Sequence, residues 1–310
     1  MKFQYIVSTT LLCMVSILLS FTNAIAKTYQ GNIVLETQQE VEEFGRVYTS
    51  MTGNLMIVGQ NIDNLSTLNN LKSIGGDLRI EENDRLVSLD SFNQLKEVGG
   101  GILIESNNAL INIKGFVSLQ KINGFLAISY CNRLIEITGL QRLEHIQTQL
   151  SIAYNPALKS ISGLSQLKHV GESINICNNN ILPHIDELQN VRSTSDMGIR
   201  IYDNDALTQI DGLQSITQLS KNLKIEENDR LQNLNGISQI KTIGEAIYIK
   251  NNRSLNDITG LFGIKNVGIK LSITKNSDLT DCCLITQFPK KIQQNWLLKT
   301  MRWVAIVFLR

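Results

Sequence analysis

The chain has 310 residues, of which 43% are hydrophobic and 18% are charged, and its formal net charge is +1. A chain of this length and composition can bury a large core, which excludes the disordered and collagen-like classes. Its charges are balanced and it has no basic tail or stripe, which argues against nucleic acid or an anionic membrane as the main partner.

Residues 1–26 read as a secretory signal peptide. They combine a basic residue near the start, an apolar stretch from about Tyr5 to Phe21, and small residues at Ala24 and Ala26, which is the order of features in such peptides. We therefore predict cleavage after Ala26 and a secreted, extracellular or cell-surface location. An uncleaved signal anchor is the alternative, because the apolar stretch nearly reaches the roughly 20 residues that span a bilayer. No transmembrane span is expected in the mature chain.

Residues 31–50 are predicted to form an N-terminal cap. Ile33 and Leu35 read as a short strand, and the next segment, TQQEVEEFG, reads as a helix. Thr37 and Glu40 have the spacing of a capping box, and Gly45 is predicted to end the helix. We expect this helix to cover the apolar end of the adjoining stack, because open solenoid ends need caps.

The rest of the chain repeats itself. The heptapeptide IEENDRL occurs at 80–86 and again at 225–231, and a pair of apolar residues one apart, such as Leu78 and Ile80, returns every 24 residues with one extra residue before Ile199. Such a pair predicts a short strand with both side chains inward, and this period is the signature of a solenoid. The predicted fold class is mainly β: a right-handed leucine-rich-repeat-like or β-helix solenoid of about ten 24-residue turns, with a short N-terminal capping helix, over residues 27–283.

A polar residue follows each predicted strand at a fixed offset. An asparagine at this point can bond backbone groups where the chain turns inward, so we interpret the column as a structural ladder between neighbouring turns. Cys131 occupies the same column. The predicted Asn ladder consists of Asn83, Asn107, Asn155, Asn179, Asn204, Asn228, Asn252 and Asn276.

The outward positions of the strands form the flat face on which solenoids bind partners. Two tyrosines are neighbours in the column just before the Asn ladder, and two more lie in nearby columns of the same face. Exposed rings stack on sugars or anchor proteins, although tyrosine also simply favours strands. Flanking carboxylates could attract a basic partner or bind calcium loosely. The predicted ligand-binding surface consists of Tyr130, Tyr154, Tyr202, Tyr248, Glu82, Glu105 and Glu227.

No motif in the sequence predicts catalysis, and we predict no catalytic residue, no metal site and no cofactor. His145 and His169 are 24 residues apart, so they are either a two-histidine metal site or two solvated loop residues on adjacent turns. A carbohydrate-active β-helix enzyme is the alternative function. It would need the acidic residues at 81–82 and 226–227 to converge, and six turns separate them.

The consensus L-x-I-x-x-N-x-x-L-x-x-I-x-G-L-x-x-L-x-x-I-G, the N-terminal GNIVLETQQEVEEF and the endings SIGG, EVGG and KTIG resemble the receptor L-domain family from roughly Gly31 to Cys283. That family is related to leucine-rich repeats and forms ligand-binding parts of insulin-type and epidermal-growth-factor-type receptor ectodomains, with similar domains in bacterial secreted and surface proteins. The resemblance implies an exported, non-catalytic recognition or adhesion module for a protein or glycan. It does not imply a growth-factor receptor, because the sequence has more turns than one L-domain and no cysteine-rich module or kinase.

The repeat pattern ends at Cys282 and Cys283. Residues 284–310 contain no glycine and form an atypical C-terminal tail. We read the tail as an amphipathic cap or as the result of a truncation or frameshift after about Gln294. In the second case the chain would be a fragment of a larger surface receptor.

Overall fold

A computed structural model of the protein describes residues 27–192 and 196–280. The predicted signal peptide, Cys282 and Cys283, and the tail 284–310 lie outside the described residues. The described part is mainly β, with many short parallel strands and one α-helix. This confirms the predicted class, a repeat-built β solenoid.

The largest element is a parallel sheet of eleven strands, here called the main sheet. Its strands are neighbours in chain order, and the rest of one solenoid turn joins each strand to the next. The strands are Ile33–Leu35, Leu55–Val58, Leu78–Glu81, Ile102–Glu105, Leu126–Ser129, Gln149–Ala153, Ser173–Cys177, Gly198–Tyr202, Leu223–Glu226, Ala246–Lys250 and Lys270–Thr274.

The paired apolar residues of each main-sheet strand point into the solenoid. Leu78 and Ile80 are fully buried, whereas Arg79 between them is half-buried on the outer side, as the period of two requires. Because the repeat length is constant, equivalent residues of adjacent turns face each other. The extra residue before Ile199 does not shift this register, since Ile174 still faces Ile199.

The return path of each turn is built from two-residue strands and short 3₁₀ helices. One sheet contains Thr28–Tyr29, Ser50–Met51, Ser73–Ile74, Glu97–Val98, Lys121–Ile122, His145–Ile146 and His169–Val170. Two smaller sheets contain Gln218–Leu219, Thr242–Ile243 and Asn266–Val267, and Asn112–Ile113 and Glu136–Ile137. The 3₁₀ helices are Ser66–Asn70, Asp90–Phe92, Ser162–Leu164, Asp186–Leu188, Asp211–Leu213, Asn235–Ile237 and Thr259–Leu261.

Glycines at the ends of turns allow adjacent turns to approach closely. A Cβ atom at Gly99 would lie 2.1 Å from the carbonyl oxygen of Gly75 in the preceding turn. No side chain fits in that space, so the close spacing of adjacent turns requires glycine at this position of the repeat.

The α-helix, α1, spans Gln38–Val47 and begins with the predicted capping box. The Thr37 hydroxyl accepts a hydrogen bond from the Glu40 N–H at 3.2 Å, and the Glu40 carboxylate accepts one from the Thr37 N–H at 3.0 Å. The prediction that Gly45 ends the helix is wrong. Gly45 lies inside α1, where a Cβ atom would come within 2.6 Å of the backbone of Thr67, so this glycine lets the helix pack closely on the next turn.

Candidate functional site

Each main-sheet strand from Leu78–Glu81 onward is followed by a residue in the left-handed backbone region. The φ angles of these residues lie between 54° and 59°, a conformation that costs a non-glycine residue about 1–2 kcal/mol. We call this set the left-handed column. It consists of Glu82, Ser106, Tyr130, Tyr154, Asn178, Asp203, Glu227, Asn251 and Lys275.

The left-handed column corrects one sequence prediction. Tyr130 and Tyr154 do not lie on the strands themselves, because the preceding strands end at Ser129 and Ala153. They lie at the C-terminal edge of the main sheet, where the chain turns inward. Asn and Asp are the non-glycine residues that tolerate the left-handed region best, but only three members of the column are Asn or Asp. Residue type therefore did not predict the corner, and its fixed position before the Asn ladder was the only signal in the sequence.

The ladder asparagines hold the corner in place. The N–H of Asn228 donates to Oδ1 of Asn252 in the next turn at 3.1 Å, and its side-chain amide donates to the carbonyl of Ile201 in the preceding turn at 3.1 Å. The same amide bonds the carbonyl of Glu226 at 2.9 Å, and so bridges the left-handed Glu227. One asparagine therefore connects three turns and closes the corner.

The ladder changes at two positions. Cys131 donates its N–H to Oδ1 of Asn155 at 3.1 Å, but its thiol replaces the amide that would bond the preceding turn. Burial raises the pKa of the Cys131 thiol to about 11, so the thiol is protonated at neutral pH. At the N-terminal end, Oδ1 of Asn83 is buried with no hydrogen-bond partner among the described residues.

The predicted tyrosines separate into different groups. Tyr130 and Tyr154 stack in parallel, with ring centroids 4.6 Å apart and an interplanar angle of 4°, and their exposed fractions are 46% and 43%. We call them the tyrosine pair. Tyr202 lies two turns further on and Tyr248 two turns beyond that, so the structure does not bring the four rings together.

The strands beside the tyrosine pair have a small, uncharged outer surface. Three consecutive strands, Leu126–Ser129, Gln149–Ala153 and Ser173–Cys177, present no charged side chain. We call this surface the neutral floor. At the opposite edge, where these strands begin, the ring of Phe125 lies against Gly101, and a Cβ atom on Gly101 would come within 2.5 Å of the ring. The neutral floor therefore has aromatic rings at both edges. Its outward residues are Ala127, Ser129, Gln149, Ser151, Ala153, Ser173 and Asn175, whereas Cys177 at the end of the third strand is buried.

Charged residues lie on the turns that precede the neutral floor in the stack and on those that follow it. On the N-terminal side, Glu81 pairs with Arg79 at 2.6 Å, and Glu105 accepts a hydrogen bond from the Ser129 hydroxyl at 3.2 Å. The next residue, Glu82, belongs to the left-handed column. This side is acidic, and part of its charge is already neutralised by Arg79.

On the C-terminal side the carboxylates belong to a hydrogen-bonded group at the corner. Glu227 accepts a hydrogen bond from the Asn251 amide at 3.2 Å, and its bond to the Tyr202 phenol raises the pKa of Tyr202. Burial, together with the charges of Asp205, Glu227 and Asp229, raises the pKa of Asp203. Glu82 and Glu105 lie six and five turns away from this group, so the acidic residues predicted for the ligand-binding surface do not converge.

The two histidines are adjacent, as their spacing predicts. His145 faces His169 in register, with ring centroids 5.7 Å apart. Burial lowers the pKa of His169, and the neighbouring charges of His145 and Lys121 lower it further. Within residues 27–192 and 196–280, no group of three or more His, Cys, Asp or Glu side chains could hold a metal ion.

The in-register parallel strands and their ladder define a repeat-built β solenoid. Residues 28–114 match the family model described as Receptor L domain. The match confirms the resemblance to the receptor L-domain family and covers the first turns of the stack. No curated protein matches the chain. Among the described residues, no helix is both long and apolar enough to cross a bilayer.

Proposed function

We propose that the protein is an exported, non-catalytic recognition or adhesion module that binds a protein or glycan on the outer face of the main sheet, at the tyrosine pair. Receptor L domains are ligand-binding modules, and residues 28–114 match that family. The predicted signal peptide supports export to the cell surface or the medium. On this view α1 caps the apolar N-terminal end of the stack.

The stacked and exposed rings of the tyrosine pair are the observation that carries the proposal. Left-handed φ angles of 55° and 56° are unfavourable for tyrosine, and a scaffold selected only for stability would favour Asn or Gly there. Two adjacent tyrosines nevertheless occupy the column, stacked and almost half exposed. An exposed aromatic pair beside an uncharged floor suits a sugar ring or an apolar side chain.

The alternative functions have less support. A carbohydrate-active enzyme that used the two predicted acidic groups would have to join residues that are about 29 Å apart, since six strand spacings of ~4.8 Å separate them. The carboxylates around Asp203 do lie together, but they are two turns or more beyond Tyr154 along the same sheet edge.

The proposal is tested with Tyr130→Asn/Tyr154→Asn. Asparagine tolerates the left-handed region better than tyrosine, so this variant should be about as stable as the wild type, because part of the backbone cost of about 1–2 kcal/mol per residue is relieved and offsets the lost stacking. Binding to a glycan array and to an array of extracellular protein domains should be lost. Ser106→Asn, in the adjacent turn of the same column, is the matched control and should bind normally.

Two results would contradict the proposal. If the tyrosine variant retains every wild-type binding signal, the pair is not the contact surface. If Ser106→Asn loses binding equally, the effect comes from the corner and not from the rings. Circular dichroism and urea unfolding of the three proteins establish that each is folded before binding is compared.

A further inference from the structure

The two in-register histidines of the return path have no part in the proposed function. His145 faces His169 across adjacent turns, and we call them the histidine pair. The residue after each of them, Ile146 or Val170, is fully buried. Since neighbouring residues of a strand point to opposite sides, both imidazoles project from the outer surface of the solenoid. His145 is exposed and His169 is half-buried, so a solute can reach the rings.

The histidine pair is arranged differently from two other pairs of rings at equivalent positions of adjacent turns. The ring of Phe92 stacks on that of Phe116 with an interplanar angle of 3°, and the rings of the tyrosine pair stack with an angle of 4°. The two imidazoles are tilted by 43°, and their ring centroids are 5.7 Å apart. Face-to-face stacking therefore does not explain why two histidines occupy these positions.

The separation of the imidazoles matches that of two rings that share one metal ion. A tetrahedral ion bound by two imidazole nitrogens at about 2.0–2.1 Å holds the ring centres roughly 5–6 Å apart. The observed 5.7 Å lies within this range, so the ion requires no change in the spacing of the two turns. Rotation about the Cβ–Cγ bond, which is a soft torsion in histidine, directs one nitrogen of each ring to the ion.

From this geometry we infer, against the expectation from the sequence motifs, that the histidine pair binds a divalent transition-metal ion such as Zn²⁺. Imidazole nitrogen suits zinc, copper and nickel, whereas calcium and magnesium take oxygen ligands. Water completes the coordination, because in the described ranges 27–192 and 196–280 no third His, Cys, Asp or Glu side chain joins the pair to form a metal-binding group. The ion connects two adjacent turns and so stabilises the stack.

The charges around the histidine pair make this a site of moderate affinity. Lys121 faces the pair from the preceding turn and Arg192 from the following one. The carboxylate of Glu144 lies 2.9 Å from the ammonium group of Lys168 and is therefore already paired. Positive neighbours repel a divalent cation, and only two protein ligands hold it. The ion consequently exchanges with the surrounding medium, and the occupancy of the site follows the metal concentration there.

The test is calorimetric titration of the purified protein with ZnCl₂ at about pH 7.5, where a histidine of ordinary pKa is mostly neutral and can donate a lone pair. Every protein carries Cys282→Ser/Cys283→Ser, because thiolates are strong zinc ligands. His145→Gln and His169→Gln should each weaken zinc binding by more than about tenfold. Since chelation needs both rings, His145→Gln/His169→Gln should lose no more affinity than either single substitution.

His184→Gln is the matched control. The Nδ1 atom of His184 lies 3.8 Å from a carboxylate oxygen of Asp186 and 3.8 Å from one of Glu187, so this histidine is the main competitor for zinc. His184→Gln should bind zinc like its parent, and so should Tyr130→Asn/Tyr154→Asn, because the tyrosine pair is not part of the site. ZnCl₂ should raise the urea midpoint of the parent but not that of His145→Gln, and MgCl₂ should change neither.

Three results would overturn the inference. The first is that the parent protein binds no zinc at millimolar concentration. The second is that His184→Gln loses as much affinity as His145→Gln, because the ion would then be held elsewhere. The third is that the losses from His145→Gln and His169→Gln add up in the double variant, which would show two independent contacts and no chelate. Failure at the tyrosine pair would leave all of these results unchanged, so the two proposals are tested separately.

Discussion

Asn155→Ala removes one member of the Asn ladder and tests whether the ladder stabilises the stack. The side chain accepts a hydrogen bond from the Cys131 N–H at 3.1 Å and donates to the Ile128 carbonyl at 3.1 Å, both in the preceding turn. Alanine makes neither bond, and Asn155 is fully buried, so water cannot replace them in an intact corner. Its own N–H keeps its bond to Asn179.

The magnitude follows from the two groups that lose their partner. Each buried backbone group left without this bond costs about 1–3 kcal/mol, so the free energy of unfolding should fall by about 2–6 kcal/mol. Urea unfolding followed by circular dichroism measures this as a lower midpoint. Because repeat arrays can depart from two-state behaviour, the slope of the transition has to be compared along with the midpoint.

Asn132→Ala is the matched control for the ladder. Asn132 is exposed and also bonds to the neighbouring turn, through its amide and Oδ1 of Asn108 at 2.6 Å, but water can replace that bond. Its loss should change the free energy of unfolding by no more than about 0.5 kcal/mol. Equal midpoints for Asn155→Ala and Asn132→Ala would refute the argument that burial makes the inner ladder structurally important.

Two further substitutions probe neighbouring features. Cys131→Asn should increase the free energy of unfolding by about 1 kcal/mol and so raise the urea midpoint. An amide at this position could donate to a carbonyl of the preceding turn, as the Asn107 amide does to the Ile80 carbonyl. A lower midpoint would show that the space around Cys131 does not accept an amide. The pKa of His169 is lowered in the folded protein. Below the ordinary histidine pKa of about 6.5, the unfolded chain therefore binds more protons than the folded protein does. The folded state consequently loses stability as the pH falls through that value. His169→Gln should reduce this loss between about pH 7.5 and 5.5, and an unchanged dependence of the urea midpoint on pH would contradict the argument.

The strands were predictable because their signal is local. Leu78 and Ile80 alternate with an outward Arg79, and the same pattern returns at a constant interval, so the buried face of each strand could be predicted from the sequence. The end of α1 was not predictable in this way. Gly45 matches the rule for a helix terminus, yet its role depends on contact with Thr67, 22 residues further along the chain.

The candidate site was only partly predictable for a related reason. Tyr130 and Tyr154 were expected to be neighbours, and they are stacked. The left-handed backbone beneath them was missed, because Glu, Ser, Tyr and Lys do not favour that region and the ladder bonds at the corner join it to other turns as well as to its own strand. The position of Tyr248 beside the ammonium groups of Lys224 and Lys270 depends on the register of three strands, which no single repeat reveals.

The left-handed column also has a consequence for how this protein can change. The same backbone conformation occurs at all nine corners, eight of which are followed by a buried ladder asparagine and one by Cys131, so no particular side chain at the corner is needed to form it. The nine positions hold acidic, basic, amide, hydroxyl and aromatic groups with almost identical φ angles. Evolution can therefore exchange one exposed group for another at regular intervals along the molecule without rebuilding the core, and a new specificity requires a change of surface chemistry and no change of fold.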